Sequence, residues 1–306
     1  MKKILITGGA GFIGSHLAEE LAKQGYQVVI FDNLRTGKFK NLYDIPHQFI
    51  TGDIRDYPTL LKTAQGCEVI YHLAALTSVM ESVRNIDECI SINLHGTINV
   101  LKAAYENKVK KLIFASSAAV YGETLELPKT ESMRPEPKSP YAITKMDGEY
   151  YCHLFRESFG LPTVCARFFN VFGERQDPFS AYASAIPIFI TKVLKKEPIT
   201  IFGDGTQTRD FIYVKDIVKS LILLKDYGLG VYNLGYGKTI DINTLVMMIC
   251  KILNSDVSIQ YQPERLGEIK HSYASAAKIE NLGFKPDYTL EEGLKRVCSN
   301  LKVCNF

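Results

Sequence analysis

The first half of the chain alternates short apolar runs with longer stretches whose apolar residues recur every three or four positions. "KILIT" (3–7), "VVIFD" (28–32), "VIYHLAA" (69–75) and "KLIFASS" (111–117) have strand length and no polar alternation. A strand reads that way when both its faces are buried, as in a parallel sheet covered by helices. The intervening "FIGSHLAEELAKQ" and "SINLHGTINVLKAAYEN" carry apolar residues at helical spacing. Repeated strand–helix–strand units predict an α/β fold with a doubly wound parallel sheet. "TVCARFFNVFG" (163–173) predicts one more strand leaving that sheet.

After about residue 170 the rhythm changes. "ITIFGDG", "RDFIYV" and "VSIQYQ" predict short strands, and "IPIFITKVLKK" and "TLVMMICKILN" predict longer helices. The last helix opens with a Thr289–Glu292 capping box. This pattern predicts a smaller mixed α/β lobe, so that residues 1–170 form the first domain and 171–306 mainly the second. "VKDIVKSLILLK" and "VYNLG", within 214–235, are expected to return to the first domain. No repeats or flexible linkers separate the two, so a cleft between closely packed lobes is expected.

Composition adds exclusions. With 306 residues, 46% hydrophobic and 23% charged, the balance is that of a globular protein. A net charge of +3 gives no reason to expect nucleic acid or a membrane surface as partner. No apolar run is long enough to span a bilayer, and glycines interrupt the one apolar run at the N-terminus. The seven cysteines (67, 89, 152, 165, 250, 298 and 304) show no metal spacing. They are expected to be reduced core thiols of a cytoplasmic protein, and no metal is expected.

"ILITGGAGFIGSHL" places Gly8, Gly11 and Gly14 after a strand and at the start of a helix. Glycines there permit a tight turn and bring backbone against a pyrophosphate at a helix N-terminus. A purely structural turn is the competing reading. Asp32 closes the next strand, 18 residues beyond Gly14, where a carboxylate accepts from a ribose 2′-hydroxyl and repels the extra phosphate of NADP. Arg35 stands close by and keeps NADP open as the minor alternative to NAD. Asp53, in "GDIRD", falls at a strand end where it can meet an adenine amino group or merely cap a loop. The small residues of "HLAA" (72–75) allow a flat cofactor to approach, or simply pack closely.

"SPYAITK" (139–145) reads as a helix start, with Ser139 as N-cap and Pro140 in the first turn. Tyr141 and Lys145 are then one turn apart on one face. Taken alone, that pair also describes a surface tyrosine and a solvated lysine. A phenol with its ordinary pKa near 10 is a poor base at neutral pH, and an adjacent ammonium favours its ionised form.

Taken in order, "TGGAGFIG", "DN" (32–33), "GDIRD", "HLAA", "SSAAVYG" (116–122), "YAITK" and "RFFNVFG" resemble the extended short-chain dehydrogenase/reductase superfamily. The resemblance spans nearly the whole chain and is strongest to NAD-dependent nucleotide-sugar epimerases, UDP-hexose 4-epimerases in particular. It implies a Rossmann-type domain binding NAD through Gly8, Gly11, Phe12, Ile13, Gly14, Asp32, Asn33, Gly37, Asp53, Ile54, Leu73, Ala74, Ala75, Tyr141 and Lys145. It also implies catalysis by Ser117, Tyr141 and Lys145: the tyrosine takes a proton from the sugar hydroxyl, and the serine bridges the two. Asn170, Arg209, Arg265, Glu268 and Ser272, together with Ser117 and Tyr141, are implied to hold the UDP-sugar. Paired guanidiniums suit a diphosphate because each offers a two-pronged fork.

Related dehydratases and decarboxylases carry acidic residues just before the Val-Tyr-Gly; here Ala118 and Ala119 stand there. An alanine moves no proton. The expected reaction is therefore 4-epimerisation, with a UDP-glucuronate decarboxylase or another epimerase of this fold as the alternative and a catalytically silent NAD sensor as the more distant one. Ser272 aligns with a position near the sugar's C2 substituent, where a small residue admits an N-acetyl group. Interconversion of UDP-GlcNAc and UDP-GalNAc is therefore expected, with UDP-glucose and UDP-galactose as well, unless neighbours close the gap. Ser275 and Thr77 depart from the family pattern. Helices over 88–107 and 140–158 resemble the pair through which relatives form a homodimer.

Overall fold

The computed structural model describes residues 1–124, 126–178, 184–264 and 270–304. In the first half, strands β1 (Lys3–Thr7), β2 (Gln27–Asp32), β3 (Gln48–Thr51), β4 (Cys67–His72), β5 (Lys111–Ser117) and β6 (Thr163–Phe168) alternate with helices. These helices are α1 (Phe12–Lys23), α2 (Tyr57–Thr63), α3 (Val79–Arg84), α4 (Ile86–Ile90), α5 (Gly96–Glu106) and α6 (Pro140–Phe159). A wide π turn at Ser91–His95 joins α4 to α5. In the second half, β7 (Asn170–Phe172), α7 (Ala185–Leu194), β8 (Ile199–Phe202), β9 (Thr208–Arg209) and β10 (Phe211–Tyr213) precede α8 (Val214–Tyr227) and β11 (Gly230–Leu234). Then follow β12 (Ile240–Asp241), α9 (Ile242–Leu253), β13 (Ile259–Gln262), β14 (His271–Ser272), α10 (Ala277–Glu280) and α11 (Leu290–Cys304).

The main sheet has seven strands in the order β11-β6-β5-β4-β1-β2-β3, every neighbouring pair parallel. The chain winds outward from β1 to β3, then restarts at β4 on the other side of β1. At that reversal the connections leave in opposite directions and open a crevice at the strands' C-terminal ends. Burial follows the period of two. Ile4 and Ile6 face a core shared with Leu17 and Leu21 of α1 and Leu221 of α8. Leu5 faces the opposite core with Val100 and Leu101 of α5 and Phe155 of α6. Both faces being covered explains the uninterrupted apolar runs.

Of the chain beyond residue 170, α8 packs on α1 and β11 forms one edge of the main sheet. Most of the remainder has its own core, with Ile190 of α7, Ile199 and Ile201 of β8, Leu245 and Ile249 of α9 and Leu294 of α11, whereas Ala276, Ile279 of α10 and Phe284 join the core of β1 and α1. Three small sheets organise it: β10-β7, β12-β9-β14 and β13-β8. A fourth cluster, Val120, Tyr121, Met146, Phe169 and Ala274, brings the end of β5, helix α6 and the loop after β14 together. The Thr289–Glu292 capping box forms: the Glu292 carboxylate accepts from the Thr289 N–H at 2.8 Å, and the Glu292 N–H donates to the Thr289 hydroxyl at 3.3 Å.

Candidate active site

The glycine loop crosses the crevice from β1 to α1. Gly8 adopts φ +74°, and a Cβ there would lie 2.6 Å from the Ala74 nitrogen, so this turn admits only glycine. At Gly14 a Cβ would sit 2.3 Å from the Gly8 carbonyl oxygen, which lets α1 start hard against β1. Gly11 differs. A Cβ there would meet only the Gly8 oxygen, at 3.2 Å. Helix α1 begins at this point with no side-chain cap and no acidic residue in its first turn. The start of α1 thus presents backbone N–H groups beside an open glycine, a cradle that fits a pyrophosphate. The Phe12 side chain packs on the second-half core and that of Ile13 on both cores, so only their backbone faces the loop.

Asp32 ends β2 beside this cradle. Its carboxylate accepts from the Ala10 N–H at 2.9 Å and from the Leu34 N–H at 2.8 Å. Burial raises its pKa, and the two backbone donors oppose the rise. Gly37 lies so close that a Cβ would come within 3.0 Å of both carboxylate oxygens. The Asn33 amide donates to Asp53 at 2.9 Å. Arg55 grips the Asp53 carboxylate with two nitrogens, each at 2.8 Å, and chiefly through this bond lowers its pKa to about 2. Ile54 is buried against Gly96 of α5. These residues form one side of the crevice. Leu73, Ala74 and Ala75, at the end of β4, form its floor and are each partly exposed.

Ser117, Tyr141 and Lys145 meet at the other end. Ser117 closes β5, and its hydroxyl accepts from the Ala119 N–H at 3.1 Å. Helix α6 starts as its sequence predicts: Ser139 accepts from the Ala142 N–H at 3.2 Å, and Pro140 occupies the first turn. The Tyr141 N–H is anchored on the Ser82 hydroxyl of α3 at 3.1 Å. Burial raises the Tyr141 phenol's pKa, while a hydrogen bond with Ser117 works against the rise. Lys145 donates to the Ala115 carbonyl at 2.7 Å. Its nitrogen is 5.9 Å from the centre of the Tyr141 ring, and burial lowers its pKa to about 8.

The Lys145 ammonium thus lies over the Phe114 and Tyr141 rings, 4.9 and 5.9 Å from their centres, with the Ala115 carbonyl as its acceptor.

On the second-half side, β9 and β14 pair so that Arg209 stands beside Ser272. Arg209 donates to the Thr208 carbonyl at 2.9 Å, and Ser272 is partly exposed. The Asn170 amide donates to the Asp210 carbonyl at 3.1 Å. Arg265 and Glu268 lie outside the described residues.

The sequence reading missed several supporting residues. Asn93, on the π turn, holds the Leu76 backbone from both sides: Leu76 N–H donates to it at 2.7 Å, and its amide donates to the Leu76 carbonyl at 3.0 Å. The available signal was an asparagine amid the apolar positions of a buried helix. His72 contacts the Thr7 hydroxyl at 2.7 Å and the Thr97 hydroxyl at 2.9 Å, and burial lowers its pKa to about 3. Asp210, fully buried, accepts from the backbone N–H groups of Tyr236, Gly237 and Ala274 at 2.7–3.0 Å. It pins the loop after β11 to the segment after β14, and nothing in the local sequence announced it.

Comparisons with known proteins agree with this geometry. Residues 4–235 match the profile of the NAD dependent epimerase/dehydratase family. A putative UDP-glucose 4-epimerase of Methanocaldococcus jannaschii is 41% identical over 304 residues, covering 99% of each chain. The structure of UDP-N-acetylglucosamine 4-epimerase from Methanobrevibacter ruminantium, solved with UDP-N-acetylmuramic acid, superposes with a TM-score of 0.96 at 41% identity over 99% of each chain. UDP-glucose 4-epimerase of Thermus thermophilus, solved with NAD, gives 0.92 at 34% identity, over 98% of this chain and 99% of that one. A doubly wound sheet, a glycine cradle at its reversal point and full-length similarity of this degree have one reading: the chain belongs to the NAD-dependent epimerase/dehydratase family.

Proposed function

We propose that this protein is a UDP-sugar 4-epimerase that interconverts UDP-GlcNAc with UDP-GalNAc and UDP-glucose with UDP-galactose. The observation that carries the reading is the meeting of Ser117 and Tyr141, with Lys145 one turn along, at the strand ends beside the glycine cradle. NAD would be held by the α1 N-terminus and Gly11 at its pyrophosphate, by Asp32, Asn33, Gly37, Asp53 and Ile54 toward the adenosine, and by Leu73–Ala75, Tyr141 and Lys145 toward the nicotinamide. Bound there, it would supply reversible hydride transfer to and from C4 of the sugar.

The chain's own part is proton transfer and positioning. Tyr141 takes the C4 hydroxyl proton as the carbonyl forms and gives it back on reduction. Ser117 bridges that hydroxyl to the phenol. A buried phenol keeps its proton, so the base needs positive charge nearby, and below about pH 8 Lys145 provides it. Ala118 and Ala119, directly after Ser117, bring no carboxylate to the site, which favours epimerisation over elimination or decarboxylation.

In this reading the β9–β14 pair carries the substrate half. Arg209 and Arg265 hold the diphosphate, Asn170 and Glu268 assist, and Ser272 leaves room for the acetamide. The Rossmann unit comprises 1–170 with 214–235, and the rest of 171–306 is mainly the nucleotide-sugar lobe, interleaved with it.

The protein is further proposed to be a cytoplasmic homodimer. Ile143, Tyr150 and Leu154 of α6 are exposed at spacings of seven and four, hence on one face, and Tyr105 of α5 and Phe159 are exposed with them. Cys67, Cys89, Cys152, Cys165, Cys250 and Cys298 are free thiols, all but Cys250 buried, which suits a reducing compartment.

The test is incubation of purified protein, with no cofactor added, with UDP-GlcNAc and UDP-glucose separately, followed by chromatography of the nucleotide sugars. Both C4 epimers are expected, and Tyr141→Phe should slow both reactions by roughly 100-fold or more. A pentose product, or turnover unchanged in the variant, would overturn the assignment.

A further inference from the structure

Arg35 sits in the loop after β2, two residues beyond Asn33. It is placed where dinucleotide-binding proteins that take NADP use an arginine on the 2′-phosphate. Its guanidinium is engaged elsewhere. One terminal nitrogen donates to Glu88 of α4 at 2.8 Å and the other to Glu81 of α3 at 2.7 Å. The opposite oxygen of Glu88 accepts from Arg55 at 3.1 Å, and Arg55 forks onto Asp53. Asp53 accepts from the Asn33 amide, and Asn33 accepts from the Arg35 N–H at 3.0 Å. The contacts close a ring around the adenosine side of the crevice, next to Asp32. Counted with Asp32, the carboxylates of Asp53, Glu81 and Glu88 outnumber the guanidiniums of Arg35 and Arg55.

We propose that Glu81 and Glu88 are cofactor-specificity residues: by holding Arg35 they deny the 2′-phosphate of NADP its cationic partner. Selection of NAD then has two layers. Asp32 repels the phosphate directly, and the two glutamates withhold an arginine that could offset that repulsion. The side chains of Arg35, Glu81 and Glu88 are between a quarter and two-fifths exposed. Ion pairs this exposed contribute little to stability, so the glutamates are replaceable without loss of the fold. Their effect belongs in selectivity, where a freed guanidinium offers a phosphate a two-pronged, charge-assisted contact.

The inference rests on the dinucleotide reading of the crevice but not on the epimerase reaction, so its test is binding. Dissociation constants for NAD and NADP are measured by calorimetry on the cofactor-stripped full-length chain and on Asp32→Asn, with and without E81Q and E88Q. The NADP/NAD affinity ratio is expected to rise by about tenfold or more when E81Q and E88Q join Asp32→Asn. Adding Arg35→Ala should cancel that gain and leave NAD binding within about threefold. No gain, or a gain that survives Arg35→Ala, overturns the proposal; a wild-type chain that binds neither dinucleotide sinks the cofactor reading and this inference with it. Circular dichroism melts that match the wild type confirm that folded variants are compared.

Discussion

Glu149 and Arg167 meet as a two-pronged ion pair, at 2.8 and 2.7 Å, with each residue at most 4% exposed. Ser116 adds its hydroxyl to the same carboxylate at 2.5 Å, and the guanidinium lies over the Tyr121 ring, 4.7 Å from its centre. The pair therefore ties β6 and the end of β5, where Ser116 adjoins Ser117, to α6 one turn beyond Lys145. Removing one member leaves a buried charge without its partner, which costs about 3–5 kcal/mol. Glu149→Ala and Arg167→Ala should each lose that much in urea unfolding. The double variant E149L/R167M should lose less than either, since no orphan charge remains. Equal losses in all three would show that packing, not charge, dominates there.

Two glycines three residues apart should respond differently to a single methyl. At Gly14 the new carbon would press on the Gly8 oxygen at 2.3 Å and the Gly9 Cα at 2.8 Å, so Gly14→Ala should destabilise by about 2–3 kcal/mol. At Gly11 the only contact is at 3.2 Å. Gly11→Ala should melt close to the wild type while weakening NAD binding by roughly tenfold or more. Thermal melts beside NAD titration separate the two effects, and unchanged NAD affinity in Gly11→Ala would remove this glycine from the cofactor cradle.

Ser272 pairs in register with Arg209, at the side of the crevice assigned to the nucleotide sugar. Ser272→Tyr should fill the proposed acetamide space. Turnover of UDP-GlcNAc is expected to fall by roughly 100-fold with UDP-glucose within about threefold, because a steric clash discriminates sharply between the two. Parallel losses on both sugars would mean that Ser272 does not line the C2 pocket.

His16 of α1 donates to the Glu174 carbonyl at 2.9 Å and so links the first helix to the loop after β7. Burial, the largest influence, lowers its pKa to about 4, against an ordinary value near 6.5. Between those values the unfolded chain binds a proton that the folded one refuses. Stability is then intact above about pH 6.5 and falls as the pH drops toward 4. His16→Gln should flatten this slope by up to about 1.4 kcal/mol per pH unit, read from urea midpoints at a series of pH values. His72, lowered still further, should leave a residual slope of the same sign in that variant. An unchanged slope would place the acid sensitivity elsewhere.

What the sequence determined by itself was the class of fold and the local chemistry. Buried parallel strands read as unbroken apolar runs; the glycine turn is dictated by backbone sterics at Gly8 and Gly14; and the Ser139–Pro140 start aims Tyr141 and Lys145 along one face. Each is a short-range constraint, legible within a few residues. The tertiary structure alone decided which long-range partners those groups find. Burial raises the pKa of the Tyr141 phenol, because desolvation depends on everything packed around it. Arg35, which left NADP open in the sequence, is held by glutamates 46 and 53 residues away. Asp210 joins segments that lie 26 and 64 residues further along the chain. Desolvation and pairing at such separations follow from how helices and strands pack, so no local pattern encodes them.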